Sequence, residues 1–302
     1  MKKKIFVTGG NGFIGQSFCA AACKKFNIVS FDLKIEESLK KFKNIKQVNG
    51  TILNELELYN AMNGCHYVVH LAAALGVENT ETNRLECYKV NVEGTKNVLE
   101  AAFKRRIKKV VFSSSSEVYG DQGSSKIKED INLRYMSNYA ATKIMGEELL
   151  KAYHQKYNLN YNIVRFFNVY GNQQKKNFVI SKFINSSKTN VPIYVYGSGE
   201  QKRSFCHIDD AVNGLIKVLL KGKKTEVYNI GNDNEPISIF NLSKKIKKIK
   251  KHNVKIIKVN YNKSDRNKKR DIKNRIPNIN KAKKDLGYKP KISLEEGIKI
   301  FN

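Results

Sequence analysis

Short apolar runs alternate with longer amphipathic segments through the first half of the chain. KIFVTG (4–9), NIVSFDL (27–33), YVVHLAA (67–73) and KVVFSS (109–114) each read as a buried strand. Between them, FIGQSFCAAACKKF, NELELYNAMNG and YKVNVEGTKNVLEAAFKRR place apolar residues at helical spacing. This alternation predicts a parallel sheet covered by helices on both faces. SNYAATKIMGEELLKAYHQKYN (137–158) predicts a long helix that leads into a strand, YNIVRFFNVYG (161–171). Beyond Gly171 the pattern loosens. PIYVYGSGEQKRSFCHIDDAVNGLIKVLL reads as strand, glycine turn and helix, and VYNIGN (227–232) as a short strand. LSKKIKKIKKHNVKIIK (242–258) reads as a basic amphipathic helix packed through Leu242, Ile246 and Ile249. The tail predicts a small helix, a Pro-containing turn and a last helix. The expected class is α/β: a doubly wound nucleotide-binding domain over 1–170, then a smaller, interleaved substrate domain over 171–302.

TGGNGFIG follows the first strand and opens the first helix. Glycines there let the backbone turn tightly and approach a pyrophosphate, whose charge meets the helix N-terminal N–H groups. Asp32 closes the next strand, seventeen residues beyond Gly15. Such an acid accepts hydrogen bonds from the adenosine ribose and repels a 2′-phosphate, so NAD is expected over NADP. In YAATK, Tyr139 and Lys143 stand four apart on one helix face. An ammonium beside a phenol favours phenolate, which can take the proton of an alcohol as hydride leaves. Tyr and Lys at that spacing are otherwise ordinary helix surface; their place after a serine-rich strand end, SSSSEVYG, is what singles them out.

These segments together resemble the extended short-chain dehydrogenase/reductases of the nucleotide-sugar epimerase/dehydratase family. The resemblance runs nearly end to end, through VTGGNGFIG, HLAAALGVE, NVEGTKNVLEAA, SSSSEVYG, YAATKIMGEELL, RFFNVYG, VYGSGEQKRSFCHIDDAV, VYNIGN and KAKKDLGYKPKISLEEGI. It implies a Rossmann-type fold with NAD held by Gly9, Gly12, Phe13, Ile14, Gly15, Asp32, Leu71, Ala72, Ala73, Tyr139 and Lys143. It implies Tyr139 as catalytic base, Lys143 as the residue that binds the nicotinamide ribose, and Ser115 as the hydroxyl that holds the sugar. Asn91 matches a residue that supports the site, and equally a residue that bridges backbone at a helix start. Asn168 and Arg203 match substrate diphosphate contacts, and Arg275 resembles a second diphosphate arginine. Thr51 stands where relatives usually carry an Asp near the adenine. His70, His207, Asp209 and Asp210 read as structural, and no metal site is expected.

The resemblance implies a shared first step, oxidation of a nucleotide-diphosphate sugar at C4. A 4-epimerase, the first reading, then returns hydride to the other face. Glu117 departs from the small residue usual in 4-epimerases and matches 4,6-dehydratases and UDP-glucuronate decarboxylases, the alternative. Against the dehydratases, Ser116 stands where they carry Asp; against the decarboxylases, HLAAALGVE lacks their proline-containing segment. A homodimer built on the YAATK helix is implied as well.

Composition narrows the partners. The 302 residues carry 56 basic and 27 acidic side chains, a net charge of +29. Such a charge suits polyanions, and a catalytically retired NAD- or nucleic-acid-binding scaffold is the remote alternative. Lysines spread over the whole chain fit compositional drift better, so no nucleic acid or membrane partner is expected. The five cysteines are scattered and never spaced CxxC, which suits reduced thiols. The basic N-terminus lacks the apolar core of a signal peptide, so cytoplasmic residence is expected.

Overall fold

The computed structural model describes residues 2–123, 125–260 and 272–301. Seven strands form one wholly parallel sheet: β1 (Lys4–Thr8), β2 (Asn27–Asp32), β3 (Ile45–Asn49), β4 (Tyr67–His70), β5 (Lys109–Ser115), β6 (Tyr161–Phe166) and β11 (Val227–Ile230). Their spatial order is β3-β2-β1-β4-β5-β6-β11. The chain winds outward from β1 to β3, then returns to the other side of β1 and winds outward again. The reversal opens a crevice at the carboxyl ends of β1 and β4, where sheets of this kind take their ligands.

Alternation along each strand divides the apolar side chains between two cores. Ile5, Val7, Val69, Val111, Val164 and Ile230 face the helices Phe13–Ala22, Ile208–Lys221 and Asn280–Leu286. Phe6, Val68, Val110, Phe112 and Ile163 face Gly94–Lys104 and Asn138–Tyr157. Both faces are covered, so these strands read as continuous apolar runs. Strand β3 escaped the sequence reading for the opposite reason. It is an edge strand of sequence IKQVN, half-buried at most, and it pairs only with β2.

The second half contributes the short strands β7 (Val169–Tyr170), β8 (Ile193–Tyr196), β9 (Lys202–Arg203), β10 (Cys206–His207), β12 (Ile237–Ser238), β13 (Ile256–Val259) and β14 (Asn274–Arg275). Two expectations need correction. The run 161–171 is two strands, β6 and β7, because Asn168 sits in the left-handed region at φ 40° and breaks the ladder. The basic helix stops at Lys250: Lys251 is left-handed at φ 55°, and the residues beyond form β13, paired in parallel with β8. Leu242 and Ile246 bury that helix in a third core with Tyr170, Phe183, Val195 and Ile298, while Ile249 lies at its margin. All five cysteines are buried and unpaired; Cys19 and Cys23 pack in the first core.

Strand β11 carries Ile230, fully buried against the same core as the glycine-loop helix Phe13–Ala22. Ile230→Ala should therefore cost about 2–5 kcal/mol. In urea unfolding, helical signal and NAD binding should lose their midpoints together; a lone loss of the C-terminal region would refute a shared core.

Candidate active site

Strand β1 ends at Thr8, and Gly9 turns the chain at φ 66° with its N–H on the Phe31 carbonyl at 2.9 Å. A Cβ at Gly9 would fall 2.6 Å from the Ala72 nitrogen, and one at Gly15 would collide with the Gly9 carbonyl. Gly12 caps the helix without any side-chain bond to its first turn. Its own Cβ direction meets only the Gly9 oxygen, at 3.3 Å. The first-turn N–H groups are thus left for an outside acceptor, and the cradle fits a dinucleotide pyrophosphate. Asp32 ends β2 beside this loop, where one carboxylate oxygen accepts from the Asn11 N–H at 3.0 Å.

Leu71, Ala72 and Ala73 run along the adjacent end of β4. The Leu71 and Ala72 N–H groups donate to the Thr8 carbonyl and hydroxyl at 3.0 and 3.3 Å. Asn91 clamps the next residue: its Oδ1 accepts from Ala74 N at 2.7 Å, and Nδ2 donates to Ala74 O and Thr142 Oγ1, each at 3.0 Å. It ties this loop to the Tyr139 helix. His70 is buried between Thr8 and Thr95, at 2.6 and 3.0 Å, and burial, then Lys143, pushes it down to about 3. It stays neutral and structural. Thr51 is engaged in its own turn, its hydroxyl accepting from Leu53 N at 3.2 Å.

The four serines divide their work. The Ser113 carbonyl accepts from Lys143 Nζ at 2.8 Å, and the Ser114 hydroxyl donates to Glu147 at 2.5 Å. Ser115 caps the following 3₁₀ turn, its Oγ accepting from Glu117 N at 3.2 Å. Ser116 is buried. The run ends β5 at the carboxyl edge of the sheet, so Ser115 and Glu117 stand at the crevice.

Tyr139 and Lys143 share a face of the helix Asn138–Tyr157, the ammonium 5.6 Å from the Tyr139 ring centroid and 4.9 Å from that of Phe112. Burial, then the Glu117 carboxylate, pushes the Tyr139 phenol well up. Burial pushes Lys143 down to about 8. The free site therefore holds a neutral phenol, and the nearby cation works in the opposite sense.

Glu117 is held from two sides. Ser137 Oγ donates to its Oε2 at 3.2 Å, and Arg275 Nη1 lies 3.6 Å from its Oε1. Arg275 is in register with Arg203 on the paired strands β14 and β9. Arg203 uses Nη1 on the carbonyls of Lys202 and Lys273, at 2.9 and 3.3 Å. Asn168 Nδ2 donates to the Ser204 carbonyl at 2.9 Å, which fixes the amide beside this pair of strands. Both the Arg275 Nε and the Ser204 hydroxyl are buried without a hydrogen-bond partner among the described residues. An orphaned donor at a cleft is a place for a ligand acceptor.

A family model described as the NAD dependent epimerase/dehydratase family matches residues 5–231. The chain belongs to that family. The match ends at residue 231, where β11 closes the sheet. The chain is 33% identical over 313 residues to a UDP-N-acetyl-alpha-D-glucosaminuronate decarboxylase of Bacillus cytotoxicus, covering 99% of this chain and 96% of that protein. It is 33% identical over 308 residues to a UDP-glucuronate 4-epimerase of Thermodesulfobacterium geofontis, covering 97% and 93%. A UDP-glucuronic acid 4-epimerase of Bacillus cereus, solved with UDP-glucuronic acid and NAD, superposes with a TM-score of 0.91 at 29% identity, over 98% and 97% of the two chains. The protein is an NAD-dependent enzyme of the nucleotide-sugar epimerase/dehydratase type, and its glycine cradle and Asp32 fit that cofactor.

The structure gathers Ser115, Glu117, Tyr139, Lys143 and Arg275 at one rim and sets Asn168 and Arg203 on the segments beside it. Sequence reasoning missed Ser137, the contact between Glu117 and Arg275, and Glu147. Ser137 was legible as a hydroxyl directly before a helix. Glu147 was legible as an acid four residues after Lys143.

Gly15→Ala should lower NAD affinity at least tenfold by calorimetry and lower the melting temperature as well, since the Cβ strikes the backbone of the loop at the Gly9 oxygen. Unchanged affinity would place the cofactor elsewhere.

Proposed function

We propose that the enzyme oxidises C4 of a nucleotide-diphosphate hexuronate and then releases its C6 carboxylate as CO₂. The observation that carries this reading is the Glu117–Arg275 contact of 3.6 Å at the rim shared with Ser115 and Tyr139. Bound NAD supplies the acceptor for the C4 hydride and later its donor, so the net reaction consumes no oxidant.

In the phenolate form, which the Lys143 ammonium favours once the phenol has lost its proton to solvent, Tyr139 takes the C4 hydroxyl proton and becomes the neutral phenol. Ser115 hydrogen-bonds the C4 oxygen and orients it. The resulting ketone lies β to the carboxylate. As the C5–C6 bond breaks, its electron pair passes into the C4 ketone as an enolate, which Tyr139, now protonated, steadies by donating its hydrogen bond. A water held by Glu117 and Arg275 protonates C5. Arg275, with its unpartnered Nε, receives the anionic substrate, and Glu117 repels the C6 carboxylate toward loss of its charge as CO₂. The dTDP-glucose-type dehydratases that the sequence resembles carry Asp beside this Glu, where this chain has the buried Ser116. Relatives named for both decarboxylation and 4-epimerisation of glucuronate-type sugars support a uronate substrate.

The second reading, 4-epimerisation, is supported by the same Ser115, Tyr139 and Lys143 set and by the epimerase names among the relatives. A panel of nucleotide-diphosphate hexuronates labelled with ¹³C at C6 separates the two. Decarboxylation releases labelled CO₂; epimerisation yields the C4 epimer with the label retained and overturns the first reading. Tyr139→Phe should bind NAD normally and lose about 10²–10⁴-fold in C4 oxidation, read as NADH absorbance. Glu117→Gln should still form NADH but release labelled CO₂ at least tenfold more slowly; equal release would remove Glu117 from the reaction.

A further inference from the structure

A second, deeper ionic contact lies behind the rim. Arg165 in β6 and Glu147 in the helix Asn138–Tyr157 have side chains 5% and 0% exposed. Arg165 Nε donates to Glu147 Oε1 at 2.9 Å and Nη2 to Oε2 at 2.6 Å, a two-pronged bond, and Ser114 Oγ adds a third at 2.5 Å. Arg165 Nη1 donates to the Tyr119 hydroxyl at 2.8 Å and the Glu129 carbonyl at 3.1 Å. Tyr119 donates in turn to Asn229 Oδ1 at 2.7 Å in β11. Asn229 Nδ2 donates to the carbonyls of Ile127 and Asn278, at 3.0 and 3.3 Å, so the network reaches the segment that follows Arg275.

Well-packed apolar side chains often serve stability as well as a buried ion pair does, so stability alone is a weak reason for this one. Its location offers a better reason. Glu147 lies one helical turn past Lys143 on the same face, and Ser114, which holds Glu147, follows Ser113, which holds Lys143.

We propose that Glu147 is a positioning residue for Lys143: its carboxylate, oriented by Arg165 and Ser114, is the counter-charge that keeps the Lys143 ammonium beside Tyr139. The proposal rests on the reading of Tyr139 and Lys143 as the proton-transfer pair. Other groups face Lys143 from each packed element: the Ser113 carbonyl and Phe112 ring from β5, His70 from β4, Cys87 from the helix Arg84–Tyr88, and the Tyr139 phenol. His70 is neutral. Burial raises the Cys87 thiol above 9.0 and the Tyr139 phenol well above 10.0, so neither carries charge near pH 8. Glu147 is left as the carboxylate that opposes the effect of burial on Lys143.

The sign follows. Burial favours neutral lysine, so loss of Glu147 moves Lys143 deprotonation to lower pH. The test is a ¹³C NMR titration of the full chain labelled in lysine Cε, without any sugar, with Lys143 assigned from Lys143→Arg. The variant Glu147→Gln with Arg165→Met removes both charges and strands neither. Its Lys143 midpoint should lie about one pH unit below that of Arg165→Met alone, which keeps the carboxylate, so that the lost Arg165 charge is common to both and the difference is the effect of Glu147. Glu147→Asp, which keeps the charge, should restore most of the fall. If the double variant does not fold, Glu147→Gln alone is titrated and should show a fall at least as large. An unchanged midpoint in the variant that folds overturns the proposal. Because no sugar is present, a parent enzyme inactive on every hexuronate would sink the decarboxylase reading and leave this result standing.

Discussion

Parallel pairing obliges every connection between neighbouring strands to cross a face of the sheet. All carboxyl ends then share one edge, and helices must cover both faces. Almost everything described above follows from that constraint. The glycine loop, Asp32, the residues after β4 and the serine run are far apart in the chain, yet each terminates a strand of the same sheet. The reversal of strand order between β1 and β4 leaves no helix to fill the gap at that edge. The fold makes a crevice before any catalytic side chain is specified.

The chemistry placed there depends on a balance of charges in a poorly hydrated setting. Burial works toward the neutral form of both Tyr139 and Lys143, and Glu117 pushes the phenol further in the same direction. Arg275 offsets Glu117 from the rim, and Glu147 supports Lys143 from behind. Arg165, which holds Glu147, and Arg275 come from strands far apart in the chain, β6 and β14. Joining them through Tyr119 and Asn229 gives the substrate side and the proton-transfer side a common frame.

What the sequence discloses depends on burial and on distance along the chain. Strands β1, β2, β4 and β5 are legible because both faces are covered and their apolar runs are continuous. Strand β3 is not, since IKQVN exposes much of its length. The break at Asn168 was hidden because a left-handed Asn leaves no mark in an otherwise apolar, β-branched stretch. Ser115, Tyr139 and Lys143 are legible through local spacing within a strand end and a helix turn. The contact of Glu117 with Arg275 spans about half of the chain, and the pairing of β14 with β9 together with the bonds of Ile127 to Ile276 and Asn278 brings the two segments together. Arg165 is a charged residue within a buried strand; its partner lies on the preceding helix, and no periodicity links the two.

The dependence of β6 on β11 also has a consequence for synthesis. All six residues of β6 are buried in the finished protein, and its outer edge is covered by a strand translated after the helices Val179–Lys188 and Ile208–Lys221. Until β11 emerges from the ribosome, the nascent sheet carries an open apolar edge with unpaired backbone groups, a template for pairing with other chains. Messages or proteolytic cuts that end the chain between Phe166 and Val227 therefore yield fragments prone to aggregate.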